Sequence, residues 1–171
     1  MRIGKYRLRD NYTRFYLKYV QPNKTEIELG TFRYASLEHL PQWDSILGFQ
    51  FENLVLNNVM ELLPHIGIGN ATVESAAPYR TERKARNGEG GGCQIDLLIQ
   101  TPKTAFVVEV KRKRTIGPAV EDEVRRKIRL LTVKNGKSKR AVLVYEGEIA
   151  KSIEADGYFD ALIPARRLLG L

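Results

Sequence analysis

Apolar residues recur along this chain with two periods, and the points where the period changes mark out its elements. Between Leu47 and about Leu63, the residues Leu47, Phe51, Leu54, Val55, Val59 and Leu62 fall on one face of a helix that Pro64 closes. Glu52 lies beside that stripe, at the margin of whatever the helix packs against. A loop containing Gly67 and Gly69 leads to an expected strand near Thr72 to Tyr79, followed by a basic, glycine-rich loop ending Asn87-Gly88-Glu89-Gly90-Gly91-Gly92. Two strands come next, Gln94 to Gln100 and Ala105 to Lys111, joined by Thr101-Pro102-Lys103-Thr104. The pattern then predicts a helix from about Pro118 to Leu131 whose buried stripe is Val120, Val124, Ile128 and Leu131. The pairs Glu121 with Arg125 and Glu123 with Lys127 are expected on its wet side. Arg140 to Tyr145 reads as a buried strand, Glu148 to Ala155 as a short helix and Ala161 to Ile163 as a last strand. The order helix, three strands, helix, strand (αβββαβ) predicts an α/β domain with a small central mixed β-sheet flanked by helices.

Residues 1–45 have a different character and are expected to form a separate N-terminal segment, with residues 46–171 as the domain proper. From Met1 to Lys24 the basic residues Arg2, Lys5, Arg7, Arg9, Arg14, Lys18 and Lys24 face one acid, Asp10. Tyr12, Phe15, Tyr16 and Tyr19 recur at helical spacing, which makes either a packed face or a platform on which bases stack; packing is the commoner use. After the turn at Pro22-Asn23, Glu26 to Leu29 reads as a short strand, and Trp43 as a packing residue.

The hairpin 94–111 changes the picture from fold to chemistry. A turn centred between Pro102 and Lys103 sets Asp96 opposite Glu109, Leu98 opposite Val107 and Gln94 opposite Lys111. Alternation then puts Ile95, Leu97, Ile99, Phe106, Val108 and Val110 on a wholly apolar face. The other face holds Gln94, Asp96, Leu98, Val107, Glu109 and Lys111. Two carboxylates directly opposed on a sheet repel, and apolar neighbours strengthen the repulsion. Either Lys111 neutralises both acids in an ion-pair cluster, or a hard divalent cation such as Mg²⁺, which takes oxygen ligands, removes the conflict.

Net charge sharpens the second reading. The chain has 28 Lys and Arg against 20 Asp and Glu, a net charge of +8 and a pI near 9.6. A polyanionic partner suits such a balance, because bases that neutralise phosphates release condensed counterions. Arg80, Arg83, Lys84 and Arg86 precede the two carboxylates, and Lys111, Arg112, Lys113 and Arg114 follow, which marks these bases as candidate nucleic-acid contacts. One cysteine, Cys93, no signal-like apolar stretch after Met1 and no run of about 20 apolar residues favour a cytoplasmic protein outside the membrane.

Ile95-Asp96-Leu97 followed by Val108-Glu109-Val110-Lys111 resembles the PD-(D/E)XK, restriction-endonuclease-like nuclease superfamily, whose motif is an Asp on one strand and Glu-x-Lys on the next. Gly48-Phe49-Gln50-Phe51-Glu52 is similar to the helix that precedes those strands in that family. Tyr6-Arg7-Leu8-Arg9-Asp10-Asn11-Tyr12 with Phe15-Tyr16 resembles the region before the nuclease-like domain of archaeal-type AAA ATPases. No nucleotide-binding loop accompanies it, since Gly136-Lys137-Ser138 has Leu131 where the first glycine belongs. The resemblance implies a restriction-endonuclease-like core and Mg²⁺-dependent hydrolysis of DNA, duplex or branched, with Mn²⁺ as a substitute. It implies Asp96, Glu109, the Val110 carbonyl and Glu52 as metal ligands, with Lys111 and Gln94 completing the catalytic set. It also implies an ATPase module upstream as a partner, or a free-standing relative, and a homodimer where both strands are cut. Gln94 stands where many relatives of the ATPase group carry an acid, which leaves a DNA-binding module without cleavage as the alternative. A protein-docking role for the Tyr12 to Tyr19 stripe is a third.

Overall fold

The computed structural model describes residues 8, 10–33, 36–81, 92–133 and 136–170. The chain divides into two compact units, residues 1–53 and 54–171.

In the first unit, helix α1 (Asn11–Phe15) starts at Asp10, whose carboxylate accepts the N–H groups of Tyr12 at 3.3 Å and Thr13 at 2.7 Å. The helical path continues through a π turn at Tyr16–Val20, a 3₁₀ turn at Gln21–Asn23 and helix α2 (Lys24–Glu28). The strand expected over Glu26 to Leu29 is therefore helical up to Glu28. Pro22 falls in a first turn, where its missing N–H costs nothing, and Asn23 Nδ2 donates to the Tyr19 carbonyl at 2.9 Å, so the chain keeps turning. Helix α3 (Trp43–Asn57) follows, and the division between the units falls within it. Tyr19, Leu40 and Ile46 are buried, with Phe15, Phe32 and Trp43 packed around them. Phe15 and Tyr19 pack as aromatic neighbours, ring centroids 5.4 Å apart, whereas Tyr12 remains 68% exposed. The aromatic stripe is thus a packed face along part of its length only.

The second unit opens with the end of α3. The single helix expected as far as Leu63 is broken at Asn58, whose Nδ2 donates to the Leu54 carbonyl at 2.8 Å and competes with the backbone ladder. Helix α4 (Val59–Leu62) and a 3₁₀ turn (Leu63–Ile66) follow, with Pro64 accommodated at the start of that turn rather than ending the segment. Strands β1 (Ser75–Thr81), β2 (Cys93–Gln100) and β3 (Thr104–Ile116) then form an antiparallel meander. Helix α5 (Ala119–Leu130) returns the chain to β4 (Ser138–Ile149), parallel to β3, and α6 (Lys151–Asp156) returns it to β5 (Ala161–Pro164), parallel to β4. Parallel neighbours need such crossovers, and here helices supply both. The sheet has the order β1-β2-β3-β4-β5, a mixed α/β architecture flanked by helices.

Strand β3 is central. Every residue from Ala105 to Val110 is at most 7% exposed. Both faces of that stretch are therefore covered, as in strands that read as continuous apolar runs. On one face Leu98, Ala105, Val107, Ala141 and Leu143 form a core with Val120 and Val124 of α5 and Ile153 of α6. α5 thus lies over the face on which Glu109 follows Val107 by two residues.

Candidate functional site

The β2–β3 ladder has the register read from the sequence. It pairs Gln100 with Ala105, Ile99 with Phe106, Leu98 with Val107 and Leu97 with Val108. There it stops, so Asp96–Glu109 and Gln94–Lys111 are not ladder pairs. The cause lies on the other edge of β2. Ala77 pairs with Leu98 but Tyr79 pairs with Ile95, leaving Asp96 and Leu97 opposite the single residue Pro78. Proline cannot donate to a ladder, and β2 bulges against it. The bulge reverses the alternation: Ile95, expected with Leu97 and Ile99, belongs instead to the core that holds Leu98 and Val107.

Where the ladder stops, a side chain replaces it. The Val110 N–H donates to Asp96 Oδ2 at 3.0 Å. In an extended strand the N–H and carbonyl of one residue point to the same edge, so the Val110 carbonyl faces the gap between the separating strands. Asp96 is 8% exposed and Glu109 1% exposed. The two carboxylates feel one another: burial first, and then the charge of Asp96, push Glu109 up from 4.5 to about 6.

Two lysines oppose that shift. Glu109 Oε1 meets Lys111 Nζ at 2.9 Å, and Glu109 Oε2 accepts from Lys127 Nζ at 2.5 Å. Both ammoniums also reach Glu123, Lys111 on Oε2 at 2.8 Å and Lys127 on Oε1 at 2.9 Å. Burial works against the charged form of each lysine, but the paired carboxylates outweigh it and hold both above the usual ammonium range. Glu123, more exposed, shows the opposite balance to Glu109: burial would raise it, yet the two ammoniums pull it down to about 2.

Sequence reasoning missed Lys127 and Glu123 as members of the site. Their i,i+4 spacing is that of a solvated pair, and the pair does form; but Lys127 is 8% exposed and faces Glu109 rather than water. Glu121, from the second pair assigned to the wet side, is also buried, at 6%. A signal was present: three residues separate Lys127 from Val124 and seven from Val120, which puts it beside the apolar stripe.

Gln94 is exposed and pairs across β1 with Arg80, while Lys111 Nζ bonds to Glu109 and Glu123. Glu52 is half-buried on α3, in the first unit. Among the described residues no group of three or more His, Cys, Asp or Glu side chains is placed to hold a metal ion. Within the second unit, the two acids at the strand gap are Asp96 and Glu109.

The basic residues divide likewise. Arg83, Lys84 and Arg86 lie outside the described residues, and Arg80 is exposed on β1. Strand β3, expected to end at Lys111, continues to Ile116 and carries Arg112, Lys113 and Arg114 with it. Arg112 Nε pairs with Glu146 Oε2 at 3.0 Å. Lys113 and Arg114 form a second bulge, opposite Gly147, and are exposed; among the described residues neither makes an ion pair. Gly147 has φ +114°, and a Cβ there would stand 1.8 Å from the Lys113 carbonyl oxygen, so only glycine permits this bulge.

No family model matches the sequence. Over 112 residues the chain is 34% identical to uncharacterized protein MJECL04 of Methanocaldococcus jannaschii, a match that takes in 64% of this chain and 23% of that protein. The chain thus spans less than a quarter of its relative's length.

Proposed function

We propose that the second unit is a restriction-endonuclease-like domain that hydrolyses phosphodiester bonds in DNA with the help of a divalent metal. The observation that carries this reading is the pair of buried, mutually repelling carboxylates, Asp96 and Glu109, at the point where β2 and β3 separate, with Lys111 beside them. Two hard, anionic oxygen donors and a carbonyl at one strand gap fit a small divalent ion: Asp96, Glu109 and the Val110 carbonyl would hold Mg²⁺ or Mn²⁺. Such an ion polarises a phosphodiester and lowers the pKa of water. Lys111 stays an ammonium, since two carboxylates hold its proton, so it serves as a fixed positive charge and hydrogen-bond donor to a phosphate oxygen or the attacking water rather than as a base. Lys113 and Arg114, exposed on the same strand, meet backbone phosphates and set the position of the nucleic acid. The longer relative suits a module within a larger chain, and the resemblance over Tyr6 to Tyr16 suggests an AAA ATPase as that chain's other module.

Purified protein with Mg²⁺ or Mn²⁺ is expected to nick supercoiled plasmid. Asp96→Ala and Lys111→Ala should each abolish nicking with an unchanged circular-dichroism spectrum; nicking at the wild-type rate in both variants rejects the assignment.

One observation favours a second reading, a DNA-binding module that does not cleave. Both oxygens of Glu109 are already in contact with ammonium groups. Calorimetric titration with Mg²⁺ separates the two, since a site whose Glu109 stays committed to both lysines gives no binding heat.

A further inference from the structure

We propose that Lys127 is the resident counter-ion of Glu109, which a divalent cation must displace, and that Glu123 is the seat onto which the displaced ammonium withdraws. This rests on the metal-dependent reading above and concerns how that site is loaded.

The four side chains form a closed ring. Lys111 and Lys127 each contact Glu109 and Glu123, and each carboxylate contacts both lysines. The two acids differ in depth: the Glu109 side chain is 1% exposed and that of Glu123 43%. Lys127 spans the ring from inside to outside, its own side chain 11% exposed. An ammonium this deep is stable only while paired, so its position is fixed by the carboxylates it touches.

An ion taken up by Glu109 meets an ammonium already resting on that carboxylate, and like charges sharing one acid repel. Of the two lysines, Lys127 has the easier retreat. Glu123 lies one turn earlier on the same helix, so side-chain rotation alone can free Glu109 while Lys127 keeps a charged partner. The Lys111 ammonium, two residues after Glu109 on the same strand, stays beside the reacting phosphate. In the absence of metal, Lys127 keeps Asp96 and Glu109 from standing as two bare carboxylates in an apolar setting; it acts on the metal through Glu109 and is a positioning residue.

The test is Mg²⁺ titration by calorimetry on the full chain, with metal-free thermal melts as the fold control. Lys127→Met is expected to bind Mg²⁺ about fivefold more tightly than wild type, the upper scale of one charge contact released. Glu123→Gln is expected to bind several-fold more weakly, about three- to tenfold, because Lys127 then has nowhere to go. In the Lys127→Met background, the Glu123→Gln change should have little effect, which a general loss of negative charge would not reproduce. Wild type that binds Mg²⁺ while Lys127→Met binds equally or less tightly overturns the proposal and leaves the nuclease reading standing. If Lys127→Met does not fold, Glu123→Gln decides: affinity equal to wild type overturns the proposal. Absence of Mg²⁺ binding in every form overturns the proposal together with the metal-dependent reading it rests on.

Discussion

The two ends of the β2–β3 hairpin are built from the same strands and obey different rules. Beside the turn, Thr101 N–H bonds to the Thr104 carbonyl at 2.8 Å, and apolar pairs such as Leu98 with Val107 continue in an unbroken register. At the other end β2 bulges against Pro78, the ladder ends at Leu97–Val108, and a carboxylate takes the Val110 N–H that a strand would have taken. The regular end is held by burial, which is indifferent to charge. The irregular end is built around a ring of two acids and two lysines, whose charge state depends on protons and competing cations. The difference teaches that the site is an exception confined to one end of an otherwise rigid scaffold, and that the scaffold fixes where the exception falls.

The largest expected effect tests the regular end. Leu98 is 5% exposed, and Leu98→Ala removes buried volume at a cost of about 2–5 kcal/mol in urea unfolding. That loss should be the same with and without Mg²⁺. A loss that Mg²⁺ restores would break the distinction between the two ends.

A smaller effect, with a definite sign in pH, tests the irregular end. The folded pKa of Glu109 lies near 6, above its ordinary 4.5, so the folded chain holds this proton more tightly than the unfolded chain does. The resulting stability is fully present below pH 4.5 and is lost as pH rises through 6. Against Glu109→Gln, wild type should therefore lose on the order of 1–2 kcal/mol between pH 4 and pH 7, read from urea midpoints. Glu123 lies at about 2 and contributes in the other direction: its stabilisation is present above pH 4.5 and is lost as pH falls towards 2. A wild-type-to-Glu109→Gln gap that is flat across this range would show that the ring does not govern this end.

Much of the regular end was legible in the sequence, and for a physical reason. Alternating apolar residues around Thr101-Pro102-Lys103-Thr104 leave one register that buries both strands, and the observed pairs match it residue for residue. Periodicity located all five strands and helix α5, but β3 and β4 run on to Ile116 and Ile149, past the ends expected at Lys111 and Tyr145, so Glu148 and Ile149, expected to open a helix, close β4 instead. What was not legible depends on neighbours distant in sequence. Asp96 falls on a bulge because Pro78 faces it from β1, a contact that reading the hairpin alone does not supply, although a proline inside an expected strand was the available cue. Lys127 read as a solvated partner of Glu123 because i,i+4 pairs usually are; only the packing of α5 over β3 shows that this pair closes around Glu109. The Glu26 to Leu29 segment failed for a local reason, since Pro22 sits in a helical first turn instead of ending the helix.

The smallest effect concerns charge alone and extends the comparison along the surface. Lys103 is exposed at the turn, whereas Lys113 and Arg114 are exposed on the bulge that Gly147 permits beyond the irregular end. Surface substitutions at all three positions should change stability by less than about 0.5 kcal/mol. Their effect on DNA affinity should not be equal. Each phosphate contact removed lowers the slope of log affinity against log salt by about one, so Lys113→Gln and Arg114→Gln should each reduce it by that amount. Lys103→Gln should leave the slope unchanged. Arg112→Gln should fall between, because Glu146 already neutralises that guanidinium. If Lys103→Gln flattens the salt dependence as much as Lys113→Gln, the nucleic acid does not distinguish the two ends of the hairpin, and the basic residues after Lys111 are a solvated face rather than an approach to the carboxylates.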